Sequence, residues 1–171
     1  MRVLGIDPGS AVTGFGVVDR DHGISRLVAA GVIRARRGAG RAQRLLNIHS
    51  HLCDLIREHC PDSISLERSF VAENVQSAFR LGEARAIALL AAAQNRLSLF
   101  EYAPAEVKLT VTGYGRADKA QVKFVVRRSL NLAETEAIAD DASDAIAIAL
   151  CHLAAFRYQP RLAAQKEERR R

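Results

Sequence analysis

Residues 2–10 read RVLGIDPGS, and residues 14–18 read GFGVV. The run from Arg2 to Ile6 is short and mostly apolar, which suits a buried strand. Asp7 closes it, and Pro8, Gly9 and Ser10 supply a tight turn. A second strand resumes after Gly14, over Phe15–Val18, and Ile24–Ile33 reads as a third. The connections are short, so the three strands pair as an antiparallel meander.

Further along, the period changes. From Arg41 to His59 the apolar residues Leu45, Ile48, Leu52, Leu55 and Ile56 recur at three- and four-residue steps, the mark of an amphipathic helix. Pro61 and Asp62 stop it. SISLE, Ser63–Glu67, reads as a fourth strand, and a strand, helix and strand in succession predicts a parallel crossover onto the same sheet. Residues 75–95 read as a long Ala-rich helix and 97–102, LSLFEY, as a fifth strand. Helices follow over 104–111, 119–129 and 140–156, with Pro104 suited to a first helical position and Asp118 to an N-cap. The fold class is therefore α/β: a five-stranded mixed sheet, its first three strands antiparallel, flanked by helices.

The helix over 75–95 carries apolar residues on more than one face, among them Ala78, Phe79, Leu81, Ile87 and Leu90. One face can cover the sheet. The rest is either a two-fold contact with a second copy or a surface buried within one subunit.

The chain has 171 residues, with 25 Lys and Arg against 19 Asp and Glu, a net charge of +6. Its composition is that of a globular protein, which argues against a disordered or collagen-like chain. One domain over 1–158 is expected, followed by a basic tail over 159–171 that ends in KEERRR. A second basic cluster comprises Arg34, Arg36, Arg37, Arg41 and Arg44, with Gly38 and Gly40 inside it. No apolar run reaches the ~18 residues of a membrane span. The start, MRVLGID, has no long apolar leader. Cys53, Cys60 and Cys151 are odd in number and lack metal-ligand spacing. A reducing cytoplasm without membrane attachment is the expectation. The basic excess points weakly to an anionic partner such as nucleic acid.

The acidic residues are more informative. Asp7 and Glu67 close apolar strands, and Asp140, Asp141 and Asp144 open the last helix. Asp141 and Asp144 are three residues apart and share a face, as do Asp140 and Asp144 at four. Acids in a first turn also suit the helix dipole, so capping is a competing role. If the first and fourth strands are neighbours, four carboxylates converge. Clustered carboxylates repel unless a cation neutralises them. All-oxygen donors favour Mg²⁺ or Mn²⁺, and a pair of such ions suits phosphodiester cleavage. The histidines at 49, 51 and 59 show no HExxH or paired CxxC pattern.

Four segments in order, GIDPGSAVTGFGVV (5–18), SLERSFVAENVQSAFRLGEAR (65–85), EYAPAEVKLTVTGYGRADKAQV (101–122) and DDASDAIAIALCH (140–152), carry a family likeness. The chain resembles the RuvC family of bacterial Holliday-junction resolvases over nearly its whole length. The resemblance implies a ribonuclease H-like fold. It implies a homodimeric endonuclease for recombination and DNA repair, which nicks opposed strands of four-way junction DNA with two Mg²⁺ per site, beside RuvA and RuvB. It assigns Asp7, Glu67, Asp141 and Asp144 as the acidic, metal-holding site, and prefers Asp141 to Asp140 by spacing. Lys108 and Lys119 match lysines linked to DNA contact and catalysis. Phe70 matches an aromatic that stacks on bases at the crossover, and Arg68, Arg85 and Arg116 extend the DNA-contact set. Ala86 departs from a frequent glycine, which bears on detail rather than on the reaction. Two other readings remain at this point. GIDPGS also resembles the phosphate loop of actin-like ATPases, which need a second domain, and a non-catalytic junction binder has no use for four carboxylates beside phosphate.

Overall fold

The computed structural model describes residues 1–9, 12–34, 38–68, 75–133 and 135–156. Phe70 and the basic tail lie outside the described residues, as do Arg36 and Arg37. Three strands come first: β1 (Arg2–Pro8), β2 (Val12–Asp21) and β3 (Ile24–Arg34). Helix α1 (Arg41–His59) leads to β4 (Ser63–Glu67), and α2 (Val75–Gln94) leads to β5 (Ser98–Tyr102). Three helices close the chain, α3 (Pro104–Thr112), α4 (Lys119–Ser129) and α5 (Asp140–Phe156). Strand order is β3-β2-β1-β4-β5. β1 is antiparallel to β2 and β2 to β3, while β1, β4 and β5 run parallel. The mixed sheet read from sequence is the sheet observed, and the first and fourth strands are neighbours.

Strand alternation sorts the two faces. Leu4 and Ile6 of β1, with Ile64 and Leu66 of β4, are fully buried against α1 and α2. Ile48, Leu52 and Ile56 of α1 meet them at four-residue spacing. Val3 faces the opposite way, into a core shared with α4 and α5. Position 7 has the parity of 3 and 5, so Asp7 belongs to the α5 face. In β4 the same parity holds Ser63, Ser65 and Glu67, the first two pairing in register with Val3 and Gly5 on the α5 side of β1.

Helix α5 lies unusually close to the sheet because the strands beneath it lack side chains. A Cβ placed on Gly5 would overlap the Ala145 carbonyl oxygen, and one on Gly14 would overlap that of Asp141. Gly16 sits under Ile146 in the same way. The small residues Ala142, Ala145 and Ala149 complete the contact and are buried. Gly14 stands directly opposite Asp7 in the β1–β2 pairing. The glycine that seats the first turn of α5 is therefore on the same rung as the strand-end carboxylate.

A buried polar link ties the far half of α5 to the sheet. His152 is fully buried between Tyr102, whose hydroxyl is 2.6 Å from Nδ1, and Ser63, whose hydroxyl is 3.0 Å from Nε2. Phe100 stacks against the ring at 4.5 Å between centroids. Burial holds the imidazole below its ordinary pKa, which keeps it neutral, and raises Tyr102 to about 12.

The helix caps follow local chemistry. Pro104 occupies the start of α3. Asp118 caps α4, its carboxylate accepting from the Gln121 N–H at 2.8 Å while Gln121 accepts from the Asp118 N–H at 3.0 Å. Helix α2 is not wholly buried. Ala84, Ala88, Ala91 and Ala92 cover the sheet, while Val75, Phe79, Leu89 and Leu90 are exposed. Among the described residues, no helix is long and apolar enough to cross a membrane.

Replacing Gly14 by Ala forces backbone against backbone under α5. The expected cost is about 1–3 kcal/mol or more, read as a lowered midpoint in urea, with Gly38→Ala, where φ is +76° but space is open, as a milder comparison.

Candidate active site

Three carboxylates surround Asp7 at the carboxyl ends of β1 and β4. Glu67 belongs to the rung after the Ile6–Leu66 pair, which places it on the strand beside Asp7. Asp141 in the first turn of α5 and Asp144 just after it come from the end of the helix whose close seat was described above. Burial and the negative charges of Glu67, Asp144 and Asp141 push the Asp7 carboxyl up to about 7 from an ordinary 3.8, while Lys119 acts in the opposite direction. All four expected acids therefore act on one centre.

Asp140 does not join them. Its carboxylate is exposed and accepts a 2.6 Å hydrogen bond from Lys123, which holds its pKa below the ordinary value. Both i,i+3 and i,i+4 spacings were open in sequence. The observed rotation of α5 turns Asp141 toward Asp7 and Asp140 toward α4.

The lysines expected at the site are beside it. Lys119, at the start of α4, donates to Asp144 at 3.1 Å, and this bond with the neighbouring negative charge raises its pKa. Lys108 of α3 shares with Glu67, Lys119 and Asp144 the lining of a cleft of about 210 Å³. Val107, Val122, Ala147 and Ile148 form its apolar floor. Arg68 follows Glu67 directly, and its N–H donates to the Tyr102 carbonyl at 2.8 Å. Arg116 is exposed in the turn between α3 and α4.

Arg85, expected among the DNA contacts, is engaged within the fold. It donates through Nε and Nη2 to Oε1 of Glu101, at 2.8 and 2.5 Å, and so ties α2 to β5. Its guanidinium is already matched by a carboxylate. Arg41 and Arg44 of the internal basic cluster are likewise engaged, both with Glu83. Two residues that tie α5 to its neighbours were not singled out from sequence. Lys123 has no motif of its own, and His152 was visible only as the one polar ring in the apolar run IALCHLAAF.

The donor set is all oxygen and strongly self-repelling, which suits a hard divalent cation. Among the described residues, no three His, Cys, Asp or Glu side chains form a ready-made metal cluster. The Lys119 ammonium supplies the positive charge that Asp144 meets in this structure.

Comparison with known proteins places these features in a family. The family model described as crossover junction endodeoxyribonuclease RuvC matches residues 3–152. The crossover junction endodeoxyribonuclease RuvC of Halorhodospira halophila is 49% identical over 169 residues, 99% of each chain. That of Chloroflexus aggregans is 47% identical over 152 residues, 89% of this chain and 92% of the relative. Among solved structures, Thermus thermophilus RuvC in complex with a Holliday junction substrate aligns with a TM-score of 0.87 at 30% identity, covering 93% of this chain and 96% of that one.

The Asp7 environment yields a signed prediction. A carboxyl raised to about 7 in the native state but near 3.8 when unfolded binds more protons folded than unfolded between those values. The metal-free protein therefore loses stability as pH rises from about 4 through 7, and the cost persists above 7. Asp7→Asn should raise the melting temperature of the metal-free protein at pH 8, with the gain shrinking toward pH 4. A gain that is independent of pH would contradict this reading.

Proposed function

The chain belongs to the RuvC family of crossover junction endodeoxyribonucleases, and from that premise we propose that its four carboxylates cut four-way junction DNA in a divalent-metal-dependent reaction. The observation that carries this reading is the convergence of Glu67, Asp141 and Asp144 on Asp7. An ATPase or a purely DNA-binding role, both open from sequence, does not fit the family. The relative solved with a Holliday junction substrate supports the choice of DNA.

Asp7, Glu67, Asp141 and Asp144 would hold Mg²⁺, two ions per site, with Mn²⁺ as a substitute. When bound, such ions activate water and stabilise the departing 3′ oxygen. The protein's own groups do the positioning. Lys108 and Lys119 line the cleft beside the carboxylates, where an ammonium offsets charge that develops on the scissile phosphate. Arg68 and Arg116, near the same edge, hold flanking phosphates in this reading. The apolar floor under the cleft limits water around these charges and strengthens them.

The reading includes a homodimer. Val75, Phe79 and Leu90 leave apolar surface on the outer face of α2, and a two-fold axis there presents two sites to a nearly two-fold junction. Cooperation with RuvA and RuvB and a cytoplasmic location follow from the resemblance set out above.

The test is cleavage of a synthetic four-way junction with Mg²⁺, against EDTA and a linear duplex. Paired nicks are expected in the junction alone. Asp7→Asn and Asp144→Asn should each lower the rate by at least about a hundredfold, on the scale of losing a principal charge-stabilising group, while junction affinity in Ca²⁺ persists. Undiminished cutting by Asp7→Asn would overturn the assignment. Removing a metal-held carboxylate should also abolish the rise in melting temperature that Mg²⁺ produces in the parent protein. Sedimentation of the free protein as a monomer at micromolar concentration would remove the dimer.

A further inference from the structure

Helices α4 and α5 are joined by two ion pairs that form a ladder. Lys119 and Lys123 lie four residues apart on α4, and Asp140 and Asp144 lie four apart on α5. Each pair therefore shares one face of its helix. The rungs cross in antiparallel order, Lys119 with Asp144 at 3.1 Å and Lys123 with Asp140 at 2.6 Å. One rung belongs to the proposed catalytic centre. The other lies outside it: Asp140 is not among the charges that act on Asp7, although it feels the Lys119 ammonium, and Lys123 is not among the cleft residues.

We propose that Lys123 and Asp140 are positioning residues that fix the register of α4 on α5 and so hold Lys119 over the carboxylates. The inference rests on the endonuclease reading and names how one of its groups is placed. Lys119 needs such a device because its own side chain is largely exposed and its ammonium is held by the carboxylate of Asp144. An ammonium on a four-carbon stem has many rotamers and no preformed geometry. Its base is set by where α4 begins, and α4 begins at the Asp118 cap, directly after the α3–α4 turn. Val122 and Val126 anchor the buried side of α4 in the core, but small apolar contacts permit sliding along the helix axis. A second charged pair one turn further on removes that freedom. It also gives Asp140 a role distinct from its neighbours: a tie to α4.

The effect is bounded by the exposure of the rung. Both partners are accessible, so the pair is a modest one, and its loss should change placement by roughly two- to fivefold. The experiment is single-turnover cleavage of the four-way junction by the full chain at saturating protein, with junction affinity measured in Ca²⁺ and folding checked by thermal melting. Lys123→Met and Asp140→Asn should each lower the cleavage rate about two- to fivefold with affinity unchanged. The double variant should be no slower than either single variant. The swapped pair, Lys123→Asp with Asp140→Lys, should recover to within about twofold of the parent, because it restores the rung with reversed polarity.

Unchanged rates in both single variants would overturn the proposal. So would additive losses, or a swap no better than the singles. An Asp140→Asn variant as inactive as Asp141→Asn would make Asp140 a metal ligand, and a Lys123→Met variant impaired only in affinity would make Lys123 a phosphate contact. Either result also overturns it. Failure of the parent protein to cut any junction would instead overturn the endonuclease reading, and the positioning role would fall with it.

Discussion

The seat of α5 on the bare strands of β1 and β2 is the contact on which the site depends. A helix laid on an ordinary strand pair stands off by the thickness of two layers of side chains. Here Gly5, Gly14 and Gly16 remove one layer, and alanines on α5 thin the other. The helix backbone then reaches the sheet, and Asp141 and Asp144 near its start come within electrostatic range of Asp7. The same glycines weaken β1 and β2 as strands, since glycine adds entropy to the unfolded chain and buries no side chain. β1 compensates from its other face, where Leu4 and Ile6 are fully buried against α1 and α2. The two faces of one strand thus divide the work: one holds the fold and the other admits the helix.

Much of this was legible in the sequence. Short apolar runs in RVLGID and SISLE marked the strands, and the carboxylates that close them were expected to converge if β1 and β4 were neighbours, as they are. The boundaries of α1, β4, α4 and α5 coincide with those read from period and capping. The choice between Asp140 and Asp141 was not legible from spacing alone. Three- and four-residue steps both keep side chains on one face of a helix. The rotation of α5 about its axis decides between them, and that rotation is set by glycines more than a hundred residues away. The ion pair of Arg85 was hidden for a related reason. The 65–85 segment ends at Arg85, midway along α2, but its partner, Glu101, arrives only when β5 joins the sheet. The same holds for His152, whose partners Ser63 and Tyr102 lie on two different strands.

The net charge of +6 takes on a different meaning beside these pairs. Arg2 pairs with Asp19, Arg85 with Glu101, and Arg41 and Arg44 share Glu83, so part of the basic composition is spent on ion pairs within the fold. The four acids at the strand ends run the other way: they face one another. Polyanionic DNA cannot approach such a cluster without a source of positive charge. Lys119 and Lys108 supply part of it from α4 and α3, on the flank of the cleft. A divalent cation would supply the remainder at its centre. The raised pKa of Asp7 expresses how incomplete the compensation is in the protein alone. In a site built this way, a bound cation would lower the repulsion the phosphates must overcome, so metal and DNA binding would reinforce one another through shared charge. That coupling makes the placement of a single lysine consequential, because it sets how much of the negative charge is answered before metal or DNA arrives.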